Sequence, residues 1–147
     1  MTWLLDTNIL SELVKPRPDS NVEAWTRAQS PLDLTLSVLT LGELEKGIAL
    51  LPAGVRRTQL SEWARAEVPR QFIGRLWPVD AAVAVAWGQL AGSAQLAGRP
   101  LPQVDGLLLA TAQVFGLTLV TRNVADCAGR GVPTIPVYDP WTGTLHA

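Results

Sequence analysis

Apolar residues fall along this chain in two alternating rhythms. Short apolar runs at Thr2–Leu5, Leu34–Ser37, Leu76–Val79, Leu117–Thr121 and Ile135–Tyr138 predict buried strands. Between them, apolar positions recur at helical spacing. Asn8–Val14 reads as a helix stopped by Pro16 and Pro18, and Asp19–Gln29 as one with Val22 and Trp25 on its inner face. Thr40–Leu51 carries the stripe Leu41, Leu44, Ile48, Leu51 and ends at Pro52. Val55 to Ile73 reads as helix broken near Pro69, Ala81–Ala97 as an Ala-rich helix ending at Gly98, and Val104–Phe115 as a helix closed by Gly116. The last of these is apolar nearly all round, which predicts burial. Strands alternating with helices imply parallel pairing, hence an α/β sandwich with helices on both faces of a mainly parallel sheet.

Composition narrows the chemistry more than the fold. The 147 residues are 48% hydrophobic and 17% charged, which predicts one compact domain over 1–147. No apolar run reaches membrane-spanning length and no basic-then-apolar leader is present, so the expected location is the cytoplasm, without a membrane partner. One cysteine, Cys127, excludes an internal disulfide and a cysteine-rich zinc site, and one histidine, His146, makes histidine-based catalysis improbable. The net charge of −1 does not announce a nucleic-acid binder, and ten of the twelve cations are arginine.

Candidate chemistry therefore rests on carboxylates. In "WLLDTNILSE", Asp6 ends the first strand and Glu12 follows six residues later. A charge at the edge of an apolar core costs free energy unless a helix N-terminus, an arginine or a metal ion compensates it. Glu43 in "LTLGELEKGIALL" sits beside its helix's buried stripe, whereas Glu45 and Lys46 face outward. Asp105 opens the buried "PQVDGLLLATAQVFG" helix, where the helix dipole could account for it, and its neighbour Gly106 leaves room beside the carboxylate. Asn123 and Asp126 lie in "TRNVADC", just past a strand, where turn chemistry and a functional role are both open. Acids at strand ends and helix starts, with no basic residue beside Asp6, Glu43 or Asp105, suit a hard cation such as Mg²⁺ or Mn²⁺. There is no P-loop and no G-x-G-x-x-G, so a nucleotide-binding protein is disfavoured.

The segments "LLDTNILSE", "LSVLTLGELEKGIALL", "DGLLLATAQVFGLTLVTRNVADC" and "IPVYDPW" together resemble, in order and spacing, the PIN-domain ribonucleases, and among them the VapC/FitB-type toxins of bacterial toxin–antitoxin modules. The resemblance implies a three-layer α/β/α sandwich, Mg²⁺- or Mn²⁺-dependent RNA cleavage, a homodimer and a cognate antitoxin. Carried over by position, Asp6, Glu43 and Asp105 match the three acids of the family pattern, and Thr7 and Asn8 the polar pair that orients the first. The chain departs at the fourth acid. Asn123 stands where T-R-D carries an aspartate; Asp126, three residues later, is the candidate that supplies the fourth catalytic charge, as in relatives with T-R-N-x-x-D-F, although Cys127 replaces their phenylalanine. Arg122 is a candidate phosphate contact, and Trp63, among arginines, a candidate antitoxin contact. The competing reading is a PIN-fold binding module whose nuclease activity is weak or lost.

Overall fold

The computed structural model describes residues 1–147. Its elements run β1 (Trp3–Leu5), α1 (Thr7–Leu13), α2 (Ser20–Ala28), β2 (Leu34–Ser37), α3 (Val38–Ala49), α4 (Val55–Glu62), a π-helical turn (Trp63–Glu67) and α5 (Val68–Gln71). They continue with β3 (Leu76–Trp77), α6 (Ala81–Leu96), α7 (Gln103–Phe115), β4 (Thr118–Val120), α8 (Val124–Cys127), β5 (Val137–Asp139) and β6 (Thr144–His146). The strands form one six-stranded sheet ordered β3-β2-β1-β4-β5-β6. All pairings are parallel except the terminal β5–β6 hairpin.

Side chains alternate across the sheet and feed a core on each face. Leu5, Leu34, Leu36 and Val120 pack with α1, α2 and α3, joined by Val68 and Phe72. Leu4, Leu119 and Val137 pack on the other face with Leu108, Leu109 and Ala112 of α7 and with Cys127. This is the expected three-layer arrangement. No helix is long and apolar enough to cross a membrane.

Several expected elements change shape. The third strand shrinks to Leu76–Trp77, and the fifth shifts to Val137–Asp139, leaving Ile135 outside it. Helix α3 starts at Val38, where the Ser37 hydroxyl accepts from the Leu39 amide 3.1 Å away. The break ascribed to Pro69 begins earlier, at the Trp63–Glu67 π-turn, where the Val68 amide reaches back to the Trp63 carbonyl. Proline tolerates the first turn of a helix, so Pro69 sits inside α5 and the ladder adjusts ahead of it. Helix α8 and strand β6 were not anticipated. Each is too short to carry a periodic signal.

Sheet order fixes where a site can form. The chain leaves β1 toward β2 on one side and returns to β4 on the other, so the switch in direction lies between β1 and β4. Open α/β sheets bind ligands at the carboxyl ends of the strands beside such a switch. Asp6 directly follows β1 and Thr121 directly follows β4.

Candidate acidic cleft

Asp6 is 5% exposed and caps α1. Its Oδ1 accepts the Thr7 amide at 2.7 Å. Its Oδ2 accepts the Thr121 hydroxyl at 2.7 Å and the Asn8 side-chain amide at 3.3 Å. Thr7 ties two acids together, because its hydroxyl donates to Glu43 Oε1 at 2.6 Å. Asn8 also donates to Thr121 Oγ1 at 3.2 Å, and its Oδ1 accepts the Arg122 amide at 3.4 Å. The Asn123 amide closes the network onto Thr121 Oγ1 at 3.0 Å. Thr7 and Asn8 thus both hydrogen-bond the Asp6 carboxylate. Thr121 is fully buried at the centre of the network and was not singled out from sequence. A threonine ending a strand gives no signal until the strand next to it is known.

Asp6, Glu43 and Asp105 line one cleft of about 380 Å³, with Thr7, Asn8, Arg122 and Asn123 around them. Burial pushes the Asp6 carboxyl from 3.8 up to about 6; the Thr121 and Thr7 hydrogen bonds oppose this, and the Glu43 and Asp105 charges reinforce it. Asp105 is raised too, first by burial and then by the Asp126 and Glu43 charges, while the Asn123 side chain lowers it. No cation figures among the influences on either acid. Asp126 is exposed on α8 and does not line the cleft, yet its charge reaches Asp105. Two arginines hold α8 in place. Arg99 donates to the Ala125 and Ala128 carbonyls at 2.6 and 3.0 Å, and Arg130 donates to the Asp126 carbonyl at 2.9 Å.

The second acid of the opening segment has a different explanation. Glu12 is buried, but it accepts the Lys15 ammonium at 2.9 Å and the Asp19 amide at 3.0 Å. These bonds hold its carboxyl below the usual range. Glu45 is held by Arg65 through two bonds, of 2.9 and 3.0 Å, away from the cleft. Gly106 does not make room for a ligand beside Asp105. A Cβ there would stand 3.0 Å from Trp87 Cδ1 and 3.1 Å from Leu101 Cδ2, so the glycine lets α6 approach α7. Cys127 is buried in the second core and burial pushes its thiol up, which suits an apolar filler rather than a nucleophile.

The PIN domain family model matches residues 3–125, a span that contains every residue lining the cleft named above but not Asp126, Cys127 or Arg130. This chain belongs to the PIN-domain family, among the VapC/FitB toxins. It is 36% identical over 137 residues to the VapC ribonuclease Y4jK of Sinorhizobium fredii, covering 93% of this chain and 98% of that one. It is 35% identical over 138 residues to the toxin FitB of Neisseria gonorrhoeae, covering 94% and 97%. The structure of FitAB bound to the IR36 DNA fragment superposes with a TM-score of 0.84 at 32% identity, covering 95% of this chain and 96% of that one.

The donor set fits a hydrated cation better than a fully caged one. No three of the chain's His, Cys, Asp and Glu side chains are arranged to ligate one ion together. Mg²⁺ usually keeps several waters and takes only one or two carboxylates directly. Two buried carboxyls with raised affinity for protons and no cation partner, beside a third on Glu43, offer hard oxygen donors of that kind.

Proposed function

We propose that this chain is a metal-dependent endoribonuclease toxin of a toxin–antitoxin module. One observation carries the reading: β1, α3 and α7 deliver Asp6, Glu43 and Asp105 to a single cleft in which neither Asp6 nor Asp105 has a cationic partner. The relatives named as a VapC ribonuclease and as a tRNA(fMet)-specific endonuclease of Shigella flexneri support the same reaction class. A divalent cation, when bound there, supplies charge for the phosphodiester and lowers the pKa of water.

The chain's own residues do the rest. Asp6 and Asp105 would hold the Mg²⁺ or Mn²⁺. Thr7 and Asn8 fix the Asp6 carboxylate, and Thr7 fixes Glu43 relative to it. Glu43 orients the attacking water or takes its proton. Asn123 steadies Asp105, and Asp126 adds negative charge from outside the cleft. RNA cleavage by the purified protein, compared in Mg²⁺, Mn²⁺ and EDTA, tests this reading.

The proposed protein partners are a cognate antitoxin and a second copy of the chain. An apolar groove lined by Leu44, Ile48, Leu51, Leu60 and Trp63 shares Thr7, Ser11, Lys15 and Glu43 with the acidic cleft. A segment lying in that groove would reach the acids, where an arginine fork could pair with them. Helix α6 carries no charged residue and leaves Val85 62% and Leu96 92% exposed. An uncharged apolar face of this kind suits contact with its own copy. The solved relatives include toxin–antitoxin complexes such as VapBC from Salmonella typhimurium, whose 24% identity extends the likeness to fold alone.

A further inference from the structure

Acids that attract a cation also repel the phosphates of a substrate, and this chain's net charge of −1 gives no general basic field to offset that repulsion. A protein cation at the cleft would add to the charge that a bound metal supplies. Two cations line it, Lys15 and Arg122. Lys15 is committed to Glu12 at 2.9 Å. Arg122 forms none of the chain's ion pairs and is exposed. Its guanidinium carbon lies 5.0 Å from the centre of the Trp141 ring, within cation–π range.

Trp141 is itself fixed. Its amide donates to Asp139 Oδ1 at 2.9 Å, its carbonyl accepts the Asn21 side-chain amide at 3.0 Å, and its ring packs against the first core. It sits in the β5–β6 turn, which Gly143 closes with φ 73° and a 2.8 Å bond from its amide to the Asp139 carbonyl. Both Trp141 and Arg122 line the cleft that holds Asp6, Glu43 and Asp105.

We propose that Trp141 is a positioning residue that holds the Arg122 guanidinium over its ring at the rim of the acidic cleft, where Arg122 receives single-stranded RNA. Its free face stacks a base and its N–H groups contact the neighbouring phosphate. Guanidinium planes stack unpaired bases in this way, and a fork held in place loses less entropy on binding than a free one. A protein ligand would not need this cation to overcome the acids' repulsion, so RNA is the occupant the charge pattern favours. The inference rests on the ribonuclease reading but concerns binding, which can be measured without cleavage.

The test is fluorescence anisotropy of a labelled mixed-sequence 12-nucleotide single-stranded RNA with the full chain in Ca²⁺. Arg122→Ala should weaken binding about tenfold and Trp141→Leu about three- to fivefold. Trp141→Leu keeps the apolar packing, and a melting curve confirms that it folds. The double variant should bind no more weakly than Arg122→Ala alone, because Trp141 acts through Arg122. Arg122→Lys should recover only part of the loss, and Arg70→Ala, which removes an exposed cation away from the cleft, should change nothing. Wild-type affinity in Trp141→Leu would overturn the proposal, as would additive losses in the double variant. A loss of antitoxin affinity with RNA binding intact would overturn it equally. Weaker RNA binding in both variants of a protein that never cleaves RNA would sustain it while removing the ribonuclease reading.

Discussion

Asp6 carries a large electrostatic cost, because burial raises its carboxyl while two further acids stand nearby. With its carboxyl raised from 3.8 to about 6, the folded chain binds more protons than the unfolded chain between those values. Stability without metal should therefore fall as pH rises from about 4 to 6 and stay lower above that, by about 3 kcal/mol from this group. Glu12, whose carboxyl is lowered, works in the opposite sense, so the informative quantity is the difference between wild type and Asp6→Asn. Denaturant melts should show a gap in favour of Asp6→Asn at pH 7 that closes near pH 4. Added Mn²⁺ or Mg²⁺ should stabilise wild type and do much less for the variant. Equal metal-induced shifts would remove Asp6 from the site. The fourth position is separable by salt. Asp126 reaches Asp105 only through its field, whereas Asn123 acts through its side chain on the cleft wall. Calorimetry at low ionic strength should find Asp126→Asn weaker in metal affinity than Asn123→Ala, with the difference shrinking as salt screens the field. The reverse order would assign the ligand role to Asn123.

At the scale of elements, α7 does two jobs whose residues are adjacent. Asp105 faces the cleft and Gly106 faces Trp87 of α6. Gly106→Ala should overpack that contact and lower stability by roughly 1–3 kcal/mol while leaving metal affinity unchanged. A lost metal site in a stable Gly106→Ala protein would restore the glycine's role as space for a ligand. Much of this organisation is legible in the sequence. Helices α3 and α7 announce themselves through their apolar spacing, and Asp6 stands out because an acid ends an apolar run. Thr121 and Arg99 do not stand out, because their work depends on neighbours 115 and 26 residues away in sequence. Glu12 is explained by near neighbours instead, Lys15 and Asp19, three and seven residues further along the chain. Trp63 shows the limit of local reading. It is half-buried against the first core and also lines the groove beside the cleft. Trp63→Leu should weaken antitoxin binding without lowering cleavage by the free toxin, as titration of antitoxin into a cleavage assay would show. Unchanged inhibition would leave Trp63 a core residue.

The whole molecule is a parallel sheet whose reversal of direction between β1 and β4 brings acids from distant segments to one place, without a histidine or a basic surface. Its uncharged α6 face should pair two copies, so Val85→Glu should shift sedimentation from dimer toward monomer; a wild-type monomer would refute the pairing. The most direct measurement is cleavage of single-stranded RNA by the purified wild type and by Asp6→Ala, Glu43→Ala and Asp105→Ala, each verified as folded by its melting curve, with Glu45→Ala as the control outside the cleft. Cleavage in Mg²⁺ or Mn²⁺ that EDTA abolishes is the expected result, with each of the three acid variants losing most of it and Glu45→Ala retaining it. Cleavage that persists in EDTA, or full activity in a folded Glu43→Ala protein, would contradict the three-acid site.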